Sequence, residues 1–212
     1  MSSNATLVFE KLEQDVDALL TLHSGSGSPG RPKGDNGPLL RSALVLLVTA
    51  WENYVEQVLS EAMNHVIPEI TADPTLLSPL LRVAVANKAE KSAWAVIGDG
   101  WLDVVRKRLS YEIGTFSNAA ARQVNDLIKN VLGIENILDA VNWQQYDATK
   151  VQVELTSLVN DIRGEIVHRG TTPGILHLDG VRSWRSFMNN LVRCFDEALA
   201  DAVAMRYGSR PW

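Results

Sequence analysis

The densest group of reactive side chains lies in Asp161-Ile162-Arg163-Gly164-Glu165-Ile166-Val167-His168-Arg169-Gly170, with two arginines, two carboxylates and a histidine. Arginine presents a fixed fork of N–H donors that matches phosphate. Histidine exchanges protons near neutral pH. Together, without metal ligands, they can cleave RNA through the neighbouring 2′-hydroxyl. A base takes that proton while the guanidinium stabilises charge growing on the phosphorane. The plainer reading is structural: a His and an Arg near a helix end cap its carbonyls and pair with Asp161 and Glu165. The spacing also restricts the chemistry. Arg163 and His168 are five residues apart, about 7.5 Å in rise and about 140° around an ideal helix. One helix therefore does not aim both at a single atom. Convergence needs a groove between helices or a second copy of the chain. At a helix C-terminus a charged His168 gains from the macrodipole, and Arg169 opposes that gain.

Other chemistries find little support. There is no phosphate-binding Gly-Lys-Ser/Thr loop, no dinucleotide Gly fingerprint after a strand and no Gly-x-Ser-x-Gly elbow. None of the four histidines, His23, His65, His168 and His177, has another three or four residues away. With one cysteine besides, no zinc site and no cofactor are expected. Cys194 cannot form an intramolecular disulfide, and its apolar setting reads as a packed, inert thiol. Arg106-Lys107-Arg108 is the most basic spot. It reads first as a solvated helix face and second as a phosphate-contacting patch.

The elements that must hold these residues have helical spacing almost throughout. Val8, Leu12, Val16 and Leu19 mark one face of a helix over 5–22. The Gly-, Ser- and Pro-rich stretch 24–37 reads as a flexible loop, a connector rather than a lid over substrate. A long helix over 38–66 carries a broad apolar stripe from Leu40 to Val66, with Glu52, Glu56, Gln57 and Glu61 largely off it. Pro68, Asp73-Pro74 and Pro79 are expected to break it. Further helices are expected in the less regular 80–97, over 101–112 with Trp101, Val104, Val105 and Leu109 inward, and over 118–132 before a Gly133 cap. Residues 134–141 read as a short helix or turn. A helix from Asp147 ends near His168-Arg169-Gly170, Thr171 to Gly174 is a turn, and a last helix spans 180–206. No strand pair, repeat or full-length coiled coil is evident, so the chain reads as an all-α bundle.

The composition agrees. The 212 residues are 46% hydrophobic and 21% charged, enough for one good core and unlike a disordered chain. Twenty Lys and Arg against 25 Asp and Glu give a net charge of −5. A general polyanion binder is excluded, and any nucleic-acid contact needs a local patch or a second copy. Residues 1–17 show no signal-peptide pattern, and the apolar run 43–51 is too short to span a membrane. A soluble, cytoplasmic protein with no membrane partner is expected.

The Arg163-to-His168 spacing fits the Arg-x4-6-His motif of the HEPN superfamily (higher eukaryotes and prokaryotes nucleotide-binding), and "LVNDIRGEIVHRG" looks like its usual stretch. Leu39 to Met63, "LLRSALVLLVTAWENYVEQVLSEAM", resembles the early helix of the prokaryotic RiboL-PSP-HEPN branch, with its Trp-Glu pair at Trp51-Glu52. Phe116 to Trp143, "FSNAAARQVNDLIKNVLGIENILDAVNW", resembles that branch's middle segment. The three blocks, in order, cover most of 38–206.

The resemblance implies a HEPN-like helical bundle, one domain over 1–212, that works as a homodimer. It implies a metal-independent endoribonuclease of toxin-antitoxin or anti-phage defence systems, acting on RNA and held by an antitoxin or defence-complex partner. Paired motifs then line a cleft between two copies. Arg163 and His168 match the motif positions, and Glu52 matches the early helix's acidic residue; Glu165 and Arg169 are candidate supporting groups. Two departures stand out. Gly164 occupies the place after the motif Arg where Asn, Asp or His is usual, and Gly170 stands where some toxins carry a modifiable Tyr. The first favours the alternative of a non-catalytic module binding RNA, a nucleotide or a protein; a plain helical scaffold whose last helix mediates assembly is the third reading.

Overall fold

Twelve apolar positions spaced by three and four residues make one helix the axis of the molecule. In the computed structural model, which describes residues 1–25, 37–170, 174 and 176–212, that helix is α2 (Gly37–Ala72). Leu40, Ala43, Leu44, Leu47, Val48, Trp51, Tyr54, Val55, Val58, Leu59, Ala62 and Val66 are all buried along it. α1 (Asn4–Gly25) lies along α2, and α8 (Leu178–Tyr207) packs against both. Around this trio are α3 (Pro79–Lys91), α4 (Gly100–Gly114), α5 (Ala121–Leu132), α6 (Ala148–Thr156) and α7 (Gly164–Arg169). Single 3₁₀ turns occupy 74–76, 93–96 and 137–140. Among the described residues there is no strand, only an isolated bridge between Trp143 and Tyr146. The architecture is an all-α bundle.

The core joins α1, α2 and α8 through aromatic rings. Trp51 stacks on Tyr54 at 5.6 Å, and Phe195 meets the edges of Trp51 at 5.6 Å and of Tyr54 at 6.1 Å. Beside them Asp196 is buried, yet its carboxylate accepts from the Ser3 amide, the Ser3 and Thr6 hydroxyls and the Tyr54 hydroxyl. Burial and the Asp196 carboxylate push the Tyr54 pKa well above its ordinary value, so the phenol stays protonated and donates.

Several boundaries differ from the sequence reading. α2 does not break at Pro68 but runs on to Ala72. Pro68 and Asn64 are both exposed, so the Asn64 carbonyl that loses its helical donor faces water, while Val66 and Ile70 stay buried. Ser24 and Gly25 belong to α1 and Gly37 to α2, which narrows the expected 24–37 loop. The rest of that loop, 26–36, and most of the 171–174 turn lie outside the described residues. The 80–97 stretch is α3 plus a 3₁₀ turn, and on α4 Leu102 and Val105 are buried while Trp101, Val104 and Leu109 are only half-buried. α5 begins at Ala121 rather than 118. Gly133 closes it at φ 65°, its amide donating to the Lys129 carbonyl.

Candidate functional site

Trp51 and Glu52 are neighbours, so about 100° of helix rotation separates them. The indole fills the core, and Glu52 sits at the edge of the stripe, half-buried rather than off it. The indole Nε1 donates to the Ala119 carbonyl at 2.9 Å, which fastens the segment before α5 beside Glu52. The carboxylate of Glu52 lies 3.7 Å from the Arg163 guanidinium, with 17% and 23% of the two side chains exposed. α2 therefore brings an acid to an arginine more than a hundred positions away in sequence.

The ion pair is loose. Glu52 Oε1 and Arg163 Nε are buried and have no hydrogen-bond partner among the described residues. Burial pushes the Glu52 pKa up, with Arg163 and the Ala119 amide pulling it partly back. One turn along α2, burial and then the Glu52 charge push Glu56 up as well. One carboxyl thus faces one guanidinium at a poorly solvated edge, with a second carboxyl one turn away on α2. Within the Glu52–Arg163 pair charge is matched while hydrogen bonding is not, an arrangement native proteins tolerate at sites that receive a ligand or rearrange.

Arg163 is aimed at Glu52 by a feature the sequence reading missed. The expected single helix from Asp147 to Gly170 holds at its ends. The Asp147 carboxylate caps the Lys150 amide at 2.8 Å, and Gly170 terminates at φ 65°. Between them, Ser157–Arg163 is a π-helix. Bonding from i to i+5 widens the turn, so each residue advances by less than the α-helical 100° and the face carrying Arg163 is rotated relative to α6. Leu158, Val159 and Ile162 remain buried through it. No periodicity argument separates this from an α-helix, because the apolar residues bury in either form.

A second pair escaped notice for the same reason that long-range pairs do: no local spacing marks it. The Asn118 amide donates to Asn160 Oδ1 at 2.8 Å, and its own oxygen accepts from the Ala120 amide at 2.9 Å. Asn118 thereby ties the segment that Trp51 fastens to the π-helix that ends in Arg163.

His168 does not join this cluster. It is exposed on the last turn of α7, as is Arg169, while Glu165 is half-buried. The three motif-related residues are thus placed as an internal pair, Glu52 with Arg163, and a solvent-facing imidazole. Gly164 has helical dihedrals, φ −58° and ψ −43°, and a Cβ there meets nothing nearer than the Val159 carbonyl at 4.0 Å. The backbone does not require glycine at this position.

Other candidates take structural places. His177 Nδ1 accepts the Gly180 amide at 2.9 Å as the cap of α8, and His65 Nε2 meets Ser209 Oγ at 2.9 Å. Cys194 is partly buried against the core. Arg106 pairs with Asp103 at 3.5 Å and Arg108 with Glu112 at 2.5 Å. A groove of about 790 Å³ opens between α5 and α6, lined by Arg122, Asn125, Asp126, Gln152 and Asp161 among others, and it contains none of Glu52, Arg163 or His168. Among the described residues no helix is long and apolar enough to cross a membrane.

The model of one protein family, described as RiboL-PSP-HEPN, matches residues 10–201. Comparison with curated proteins and with solved structures yields no match.

Proposed function

Because the chain belongs to the RiboL-PSP-HEPN family, we propose that it is a metal-independent endoribonuclease that acts as a cytoplasmic homodimer, a toxin or anti-phage effector restrained by an antitoxin or defence partner. The observation that carries this reading is the Arg163–Glu52 pair: a guanidinium held at a half-buried edge, with unmet hydrogen-bonding capacity, one helical segment before an exposed imidazole.

In the proposed reaction His168 takes the proton of a ribose 2′-hydroxyl. The 2′-oxygen attacks the adjacent phosphorus, and Arg163 stabilises the negative charge on the phosphorane oxygens. The P–O5′ bond then breaks. The leaving 5′-oxygen receives a proton, and the products are a 2′,3′-cyclic phosphate and a 5′-hydroxyl. The five-residue spacing keeps Arg163 and His168 of one chain on different sides of the helix. A second copy of α7 supplies the missing group to each site. Glu52 positions Arg163 and leaves it when phosphate, the stronger bidentate partner, arrives.

Gly164 favours a second reading, a module that binds RNA, a nucleotide or a protein without turnover, since the polar neighbour of the motif Arg is missing. Incubating total RNA and tRNA in EDTA with the wild type, Arg163→Ala and His168→Ala separates the two. The first reading expects cuts ending in a 2′,3′-cyclic phosphate that vanish in both variants. Cuts that persist in both, or a dimer that binds RNA without cutting, defeat it.

A further inference from the structure

A tryptophan held in water by a rigid turn requires explanation. Trp94 is 85% exposed, in the 3₁₀ turn between α3 and α4. The turn is firmly built: Ser92 donates to the Lys88 carbonyl at 2.9 Å, Ala95 to Ser92 at 3.0 Å and Gly100 to Ile97 at 3.1 Å. Gly98 takes φ 59°, and a Cβ on Gly100 would come within 2.4 Å of the Ala95 carbonyl. Those two glycines let the chain fold back so that α3, the turn and α4 pack on one another. The indole at their apex is presented, with its orienting backbone already ordered.

Its charge surroundings run against those of the whole chain. Residues 79–114 carry six cations, Arg82, Lys88, Lys91, Arg106, Lys107 and Arg108, and four acids, Glu90, Asp99, Asp103 and Glu112, in a protein of net charge −5. Asp103 and Glu112 are occupied by Arg106 and Arg108. Lys88 and Lys91, exposed in the last turn of α3 just before Trp94, have no acid partner among the described residues, and neither does Lys107. Glu90 and Asp99 are exposed and without a cationic partner too, so the charges of this stretch with no ion-pair partner among the described residues are Arg82, Lys88, Lys91 and Lys107 against two acids. A flat aromatic face beside this cationic excess matches a base and its flanking phosphates.

We propose that Trp94 is a stacking platform for an unpaired base of single-stranded RNA, with Lys88 and Lys91 on the adjoining phosphates, so that this surface holds the substrate strand away from the Arg163 site. The proposal rests on the reading of the chain as an RNA-acting protein. It gives an acidic protein the local patch that binding a polyanion demands.

The test is fluorescence anisotropy of a labelled single-stranded 2′-O-methyl oligonucleotide, with light scattering on each protein. The probe has no free 2′-hydroxyl, so its binding reports on Trp94 whether or not Arg163 and His168 cut RNA. Trp94→Ala weakens binding about ten-fold, and Trp94→Phe, which keeps a ring, weakens it less than about three-fold. Lys88→Ala with Lys91→Ala flattens the slope of log affinity against log salt by about 1.4, two phosphate contacts on a single strand. Equal affinity of Trp94→Ala and wild type overturns the proposal, as does absence of binding by the wild type. A dimer that falls to monomers on Trp94→Ala also overturns it, because the indole then belongs to an interface between copies.

Discussion

Glu52→Gln separates what the Glu52–Arg163 pair does for stability from what it does for function. At 3.7 Å and an effective dielectric near 20 the attraction is about 4 kcal/mol. Against this stands the desolvation of two charges, each mostly covered, at several kcal/mol per ion. The balance is set by the Glu52 carboxyl, whose pKa is raised because burial outweighs Arg163 and Ala119. A raised pKa means that charging Glu52 disfavours the folded state. Gln keeps the shape without the charge, so the variant at pH 7 is at least as stable as the wild type, with a melting temperature equal or higher. The pH dependence has a definite sign. Between the ordinary value of 4.5 and its raised folded value, Glu52 binds more protons folded than unfolded, so wild-type stability falls as pH rises through that window. The variant's advantage is therefore complete above the window and vanishes below it. Cleavage moves the other way. Without its carboxylate Arg163 is no longer held, and a misplacement of about 1 Å costs on the order of 100-fold in rate. Thermal melts from pH 7 to pH 4.5 and cleavage kinetics in EDTA test both halves. A melting temperature lowered by more than about 6 °C at pH 7 refutes the electrostatic argument. Unchanged cleavage refutes the positioning role.

Three further outcomes are expected. Trp51→Phe loses the bond to the Ala119 carbonyl and leaves a buried acceptor unmet, costing about 1–3 kcal/mol in denaturant unfolding; cleavage falls too, because the segment beside Glu52 is released. Gly164→Ala stabilises by about 0.5–1 kcal/mol, since the residue is helical and a Cβ meets only the Val159 carbonyl at 4.0 Å; a destabilised variant shows that the π-helix needs glycine there. Gly133→Ala destabilises by about 1–2 kcal/mol, because φ is 65° and the new Cβ would come within 2.8 Å of Arg206 Nη2; unaltered melting shows that the cap relaxes without cost.

Much of the bundle was legible because its determinants are local. The spacing from Leu40 to Val66 identifies α2, Asp147 marks the start of α6, and Gly133 and Gly170 mark helix ends through a conformation in which other residues are strained. Pro68 argues for a break by its own chemistry, yet the stripe on either side stays buried and the freed carbonyl faces water, so packing carries the helix through.

The helical class, the Arg163-to-His168 spacing and the family those residues resemble can all be read from the chain, since each is a matter of residue type at short range. Tertiary structure alone decided that Glu52 meets Arg163, that Asn118 binds Asn160, that a π-helix turns Arg163 inward and that His168 stays in water. These depend on how separate helices pack, and packing trades the desolvation of a charge against its partner across distances that no local pattern encodes.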